Sequence, residues 1–349
     1  MNKNFDKILI EKVQNWQVPS LVAAVVNSTE TLWVGAHGKR YIKSNVLVEK
    51  SDKYHIGSCG KSFTSLLIAK LIEKTKLSWD SKISKVLQVS ESMNDFTITE
   101  LLTHTSGLAR DLPELEGSTP ILSYDWDGKN SRQLRLQLAI DILSSTTLPL
   151  SEKKFSYSNI GYMILGAVIE HTLQEDFESA LIRDVANPLK MYSLGIDLPQ
   201  TFTGREEILQ PIGHSEDANL NYAIDYQDNH PIMIPAGCFH CSGLDLAKYL
   251  QFYLSEFSKM KSNSLSRFLF YGVSPEYLPM GWRKKNDTDL GLNMWWHTGT
   301  NTFFYAAMCL VPQKDKGVLV LCNAGGKQAS LACRDLINTL LKDFDLPLL

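Results

Sequence analysis

The sequence contains no apolar run close to the roughly 18–20 residues that a helix needs to cross a bilayer. Its longest run, Phe303 to Val311, has the length of a strand. An excess of one charge is also missing. Lysine and arginine number 35 against 38 aspartates and glutamates, a net of −3, which gives no electrostatic basis for holding a phosphate backbone. Cysteine is scarce: six in 349 residues are too few for a disulfide framework in a chain long enough to build its own core. Cys59, Cys238, Cys241, Cys309, Cys322 and Cys333 are therefore expected as buried free thiols. Cys238 and Cys241 form a lone CxxC, without a second pair at zinc spacing or a thioredoxin-like βαβ context. Internal repeats and low-complexity linkers are absent. The start, Met1-Asn2-Lys3-Asn4-Phe5, runs into charged residues and lacks the apolar core of a secretion signal. A cytoplasmic location is expected from this chain, or a periplasmic or secreted one if a signal has been trimmed.

What remains is a globular composition, 44% hydrophobic and 21% charged, with a clear order of elements. Leu21 to Val26 and Thr31 to Ala36 are β-rich runs around the polar turn Asn27-Ser28-Thr29-Glu30, which predicts a hairpin. From Ser58 the apolar residues Phe63, Leu66, Leu67 and Leu71 follow helical spacing to about Thr75. Thr97 with Glu100 is a capping-box signature ahead of Leu101 and Leu102. Ile160, Ile164, Leu165, Val168 and Ile169 form a stripe that starts just after Tyr157-Ser158-Asn159. Ser242 and Asp245 predict a cap before Leu246, Tyr249, Leu250 and Tyr253. Phe303 to Val311 and Val318 to Cys322 return to strand, and Leu336, Ile337, Leu340 and Leu341 mark a closing helix. The stretches 112–132 and 198–231, rich in Asp, Asn, Gly and Pro, are expected as cleft loops. Strands at both ends and helices between them predict an α+β fold. Residues 1–75 and 290–349 would form a discontinuous sheet domain, and 76–289 a mainly helical insertion.

Three short motifs carry chemistry. Ser58-Cys59-Gly60-Lys61 places a hydroxyl and an amine three residues apart at a helix start, on one face. A serine needs a neighbour to take its proton, and a desolvated lysine can do so. The plain alternative is a capping serine followed by a solvated lysine. In Tyr157-Ser158-Asn159 the phenol can relay a proton and the amide can hold both a substrate carbonyl and the lysine; the alternative is a helix cap with a packed ring. His297-Thr298-Gly299 precedes a strand, and its glycine admits a substrate close to the backbone. His297, with an ordinary pKa of ~6.5, could carry a positive charge facing a carboxylate. Its alternative is a polar strand end beside Trp295 and Trp296.

In this order the three motifs resemble those of the serine penicillin-binding protein and β-lactamase superfamily, in its class C β-lactamase, DD-peptidase and esterase branch. Ile56-Gly57-Ser58, the segment from Leu101 to Leu108, the segment from Phe155 to Tyr162, Asn187-Pro188-Leu189 and Pro235-Ala236-Gly237 extend the likeness from about Val18 to Leu341. The resemblance implies an antiparallel sheet flanked by helices, an all-helical insertion and a site at their junction. It makes Ser58 the nucleophile, Lys61 its base partner, Tyr157 the second acid/base and Asn159 the substrate-side amide. The oxyanion hole would be the N–H groups of Ser58 and Thr300, after His297, Thr298 and Gly299. It implies a serine hydrolase that passes through an acyl-enzyme on an amide or ester, without cofactor or metal. The substrate would be a small molecule or peptide, with or without a carboxylate. The alternative is a penicillin-binding sensor or pseudoenzyme that acylates without turnover. His297 stands where most β-lactamases have lysine; the resemblance associates this histidine form with DD-peptidases, D-amino-acid peptidases and related hydrolases, with weak β-lactamase activity at most. Lys190 stands where the related Pro-Leu-Gly-Met pattern has glycine. The resemblance treats the His104 segment as structural.

Overall fold

The computed structural model describes residues 4–75, 77–111, 130–145, 150–151, 154–199, 202–203, 207–215, 228–259 and 277–349. The expected cleft loops fall largely outside them. Helix α1 (Phe5–Trp16) precedes a hairpin of β1 (Ser20–Val26) and β2 (Thr31–Gly38). The short β3 (Lys53–His55) leads through a 3-10 turn, Gly57–Gly60, into α2 (Lys61–Lys74). The middle of the chain holds α3 (Ile83–Val86), α4 (Ile98–Leu102), α5 (Ser131–Ser144), α6 (Asn159–Leu173) and α7 (Phe177–Leu181). Then come β4 (Gly195–Ile196), β5 (Phe202–Thr203), β6 (Glu207–Ile208), α8 (Ile234–Gly237), β7 (Phe239–Ser242) and α9 (Gly243–Ser258). The chain closes with β8 (Tyr277–Leu278), β9 (Trp282–Asp287), β10 (Leu292–Thr300), β11 (Tyr305–Val311), β12 (Lys316–Cys322) and α10 (Gly326–Lys342).

The main sheet has seven antiparallel strands in the order β2-β1-β12-β11-β10-β9-β8, with helices on both faces. Period-two alternation divides each central strand between two cores. On β1, Leu21, Ala23 and Val25 join Leu9 and Val13 of α1 and Leu336, Ile337 and Leu340 of α10. Val22, Ala24 and Val26 turn the other way, toward α9 and the buried α2. Strands β8 and β9 lie within the segment expected as the insertion, yet they pair into this sheet, and α9 packs on β1 and β12. The sheet layers therefore take in residues 243–258 and 277–287 as well as the two terminal segments. A second, small sheet, β3-β7-β4, sits beside the 3-10 turn at Gly57–Gly60.

Local chemistry accounts for most of these boundaries. The Thr97–Glu100 capping box is formed in both directions, and Ser158 and Ser242 cap α6 and α9 by accepting from the N–H groups of Gly161 and Asp245. Helix α1 is not expected from the sequence, although Asn4 caps it and Leu9 and Val13 anchor it. Strand β11 starts at Tyr305, two residues later than expected, because the Asn301 side chain accepts from the N–H groups of Phe303 and Phe304 and bends the chain there. Lys190 occupies the left-handed region at φ 54°, a conformation that glycine adopts at less cost. The six cysteines are free and buried. No helix among the described residues is long and apolar enough to cross a membrane.

Candidate active site

Ser58 belongs to the 3-10 turn ahead of α2, one step before the α-helix proper. In such a turn residues i and i+3 eclipse each other, so Ser58 and Lys61 are aligned by the backbone itself. Lys61 is fully buried. Its Nζ lies 3.3 Å from Ser58 Oγ, 2.6 Å from Asn159 Oδ1 and 2.5 Å from the Ala236 carbonyl. Three partners match the three tetrahedral positions of an amine, and two of them, the amide oxygen and the carbonyl, can only accept. Helix α2 is buried on nearly all sides, so its other polar groups also find carbonyls: Ser62, Thr64 and Ser65 donate to Cys59, Pro235 and Lys61.

Missing side chains bring the two backbone donors together. A Cβ on Gly57, whose φ is +50°, would stand 2.3 Å from the Thr300 nitrogen. A Cβ on Gly299 would stand 2.0 Å from the Ile56 carbonyl oxygen and 2.6 Å from the Ser58 nitrogen. Only glycine at both positions lets β10 lie this close to the Ser58 turn, with Thr300 next to Gly57 and Ser58 next to Gly299.

Tyr157, Ser158 and Asn159 are tied to the segment 104–111 by a row of hydrogen bonds. The N–H groups of Ser156 and Asn159 donate to the carbonyls of His104 and Arg110, the Ser158 hydroxyl to that of Ala109, and the Ser158 N–H to His104 Nδ1. Ser158 is thus a cap and a strut. His104 stacks on the Tyr157 ring at 4.4 Å between centroids and is fully buried. Burial first, and then the nearby Lys61 charge, hold its pKa well below the usual histidine range. Tyr157 lines the cleft, with Lys61 Nζ 4.9 Å from its ring centre and the guanidinium groups of Arg110 and Arg283 at 5.7 and 5.6 Å. Its hydroxyl makes no hydrogen bond with a described residue.

His297 departs from the expectation of a titrating charge. Only 2% of it is exposed; its Nδ1 lies 2.7 Å from the Thr298 carbonyl and its Nε2 3.0 Å from the Tyr277 hydroxyl. Burial, then the charges of Lys61 and Arg283, push its pKa down to about 3. The imidazole is neutral across the physiological range, and its neutral form donates from Nδ1 and accepts at Nε2.

These groups open on a cleft of about 830 Å³ that Ser58, Tyr157, Asn159, His297, Thr298, Gly299 and Thr300 line together. Sequence reasoning missed three charged residues in it, Arg110, Asp111 and Arg283. Asp111 Oδ1 accepts from Asn159 Nδ2 at 2.6 Å, and since a carboxylate only accepts, it fixes the amide with its oxygen toward Lys61. Arg283, on β9, stacks on Phe155, Tyr157 and Trp296 at 5.6, 5.6 and 5.3 Å and has no ion-pair partner among the described residues. Asp111 follows the Leu101–Leu108 segment closely enough to have been found. Arg283 enters only because β9 pairs with β10, where it stands opposite Trp296.

A family profile described as Beta-lactamase matches residues 5–341. The chain belongs to the beta-lactamase family. It is similar to Protein flp of Staphylococcus aureus strain N315, 23% identical over 332 residues, which cover 92% of this chain and 63% of that protein. The chain therefore spans less than two thirds of the length of that curated relative. Solved structures share its fold. The octameric penicillin-binding protein homologue from Pyrococcus abyssi superposes with a TM-score of 0.74 at 22% identity, covering 97% of this chain and 77% of that one. The class C beta-lactamase from Rhodobacter sphaeroides gives 0.74 at 19%, covering 97% and 100%. A D-stereospecific amidohydrolase from Streptomyces sp. gives 0.69 at 20%, covering 97% and 98%.

Proposed function

We propose that this protein is a serine hydrolase that cleaves an amide or ester through an acyl-enzyme on Ser58, in the manner of a DD-peptidase, D-amino-acid peptidase or esterase. The observation that carries this is the buried Lys61 amine, set between Ser58 Oγ, Asn159 Oδ1 and the Ala236 carbonyl. On losing its ammonium proton, Lys61 keeps its two N–H groups on the two obligate acceptors and turns its lone pair to the serine O–H. Ser58 Oγ then attacks the substrate carbonyl while Lys61 takes its proton. The oxyanion forms against the N–H groups of Ser58 and Thr300, where preorganised donors are worth roughly 3–4 kcal/mol each. Tyr157 hands its phenol proton to the leaving group; its phenolate then takes a proton from the water that attacks the acyl carbonyl, and Lys61 returns its proton to Ser58 Oγ as the acid leaves.

Tyr157→Phe keeps the ring and removes a hydroxyl that bonds no described residue. The melting temperature is expected to hold while turnover of a chromogenic ester falls by about 10²–10⁴. Unchanged acylation and deacylation rates would take Tyr157 out of the role.

A carboxylate on the substrate meets Arg283 in this proposal, because His297 is neutral. KM for a carboxylate-bearing substrate is expected to stay flat between about pH 5 and 8, as an arginine keeps its charge throughout. Arg283→Ala should raise that KM by about tenfold or more, in line with ~1.5–3 kcal/mol for a hydrogen bond to a charged group, and leave a neutral ester nearly unaffected. A wild-type KM that climbs through pH 6–7 would return the charge to His297. The experiment that tests the function as a whole is burst kinetics with intact-mass detection of the acyl-enzyme, run on a β-lactam, a D-Ala-ending peptide and a short-chain ester. Multiple turnovers mark a hydrolase, one equivalent marks a sensor, and no adduct with any of the three removes the proposal.

A further inference from the structure

Behind the Ser58 turn lies a buried histidine–aspartate pair that the chemistry above does not use. His55, at the end of β3, is fully buried, and the Asp228 side chain is only 3% exposed. His55 Nε2 lies 2.8 Å from Asp228 Oδ2, and its Nδ1 accepts from the Gly57 N–H at 3.2 Å. Nδ1 faces a donor, so it must hold the lone pair, and the ring proton belongs on Nε2, where the Asp228 carboxylate accepts it. The carboxylate thus selects the tautomer that grips Gly57. Gly57 is the residue on which a Cβ would stand 2.3 Å from the Thr300 nitrogen, and the next N–H in the chain is that of Ser58. On its other side Asp228 begins the segment whose Asn229, His230, Ile232 and Met233 line the cleft. Its Oδ1 accepts from the Asn229 N–H at 2.8 Å. The far part of that segment is held as well. The Pro231 carbonyl accepts from Arg135 Nη1 at 2.8 Å, and Arg135 is itself buried against Glu170.

We propose that His55 and Asp228 are a positioning pair that locks the Ser58 turn and the cleft wall at residues 229–233 into one unit, so that both the acylation rate and substrate affinity depend on it. The inference rests on the hydrolase function proposed above. Without Asp228 the ring is free to carry its proton on Nδ1, which would set N–H against N–H at Gly57 and release the turn. Shifts of an ångström or less at a nucleophile cost up to about 10²-fold in rate.

The test compares two variants of similar size. Asp228→Leu removes the acceptor, and Asp228→Asn keeps an oxygen for the Nε2 proton. With a neutral short-chain ester, Asp228→Leu is expected to lower kcat at least tenfold and to raise KM several-fold, and Asp228→Asn to recover most of both. In the double variant His55→Gln/Asp228→Leu the loss should be no greater than in the worse single variant, because the two residues act through each other. The tautomer can be read without activity and in the unaltered protein, from the imidazole 15N signals that disappear in His55→Gln. They should report a proton on Nε2. A proton on Nδ1 would overturn the inference, and so would an Asp228→Leu protein with a lower melting temperature but unchanged kcat and KM. A wild-type protein that forms no adduct with any probe would instead remove the hydrolase function itself, and the rate-setting role with it.

Discussion

Ser58→Ala is expected to yield a folded protein that no longer takes up an acyl group. Turnover should fall by roughly 10⁶-fold, the scale on which removal of a serine nucleophile acts. The fold should tolerate the change. Ser58 Oγ is tied to Lys61 at 3.3 Å, and Lys61 keeps its shorter bonds to Asn159 and Ala236 when the hydroxyl is gone. A hydrogen bond of this kind contributes about 1 kcal/mol, so the thermal transition should move by only a few degrees. Intact-mass spectrometry after incubation with a chromogenic ester checks the first part and calorimetry the second. An adduct that persists on another residue of the variant would take Ser58 out of its role.

Gly299→Ala adds a single methyl group and is expected to lower both rate and stability. The new Cβ would come within 2.0 Å of the Ile56 carbonyl oxygen, 2.6 Å of the Ser58 nitrogen and 2.8 Å of the Cys59 nitrogen. All three are backbone atoms held by neighbours on both sides, so no rotamer change can relieve the contact. Strand β10 and the Ser58 turn must move apart. The Ser58 and Thr300 N–H groups would then no longer converge on one oxygen, a loss of about 10²–10³ in kcat if one donor is displaced. Overpacking of this kind also costs typically 1–3 kcal/mol of stability. Steady-state kinetics on a neutral ester and a denaturant titration check the two effects. Native kcat and native stability together would mean that the turn and the strand do not meet as described.

Much of this arrangement was legible along the chain, and what escaped did so for a common reason. Caps and hairpins are decided by neighbours in sequence: Thr97 with Glu100, Ser242 with Asp245, and the polar residues 27–30 between two β-rich runs all formed as expected. The Ser-x-x-Lys motif belongs to the same class, because one 3-10 turn suffices to align Ser58 with Lys61. Charge state does not. His297 has an ordinary pKa in any unfolded segment, and only its enclosure near Lys61 and Arg283 drives it down to about 3. Arg283 becomes a cleft residue only through the register of β9 on β10. Asp228 meets His55 across 173 positions, and no local pattern encodes that contact.

The sequence by itself determined which groups are present and which of them sit a turn apart: the serine and its lysine, the tyrosine and asparagine at a helix entrance, and the glycines that allow close backbone approach. The tertiary structure decided which of those groups carry charge, which face the cleft, and which opposing residues hold them. Burial and distance set electrostatic energies, and both are properties of chain segments brought together by folding.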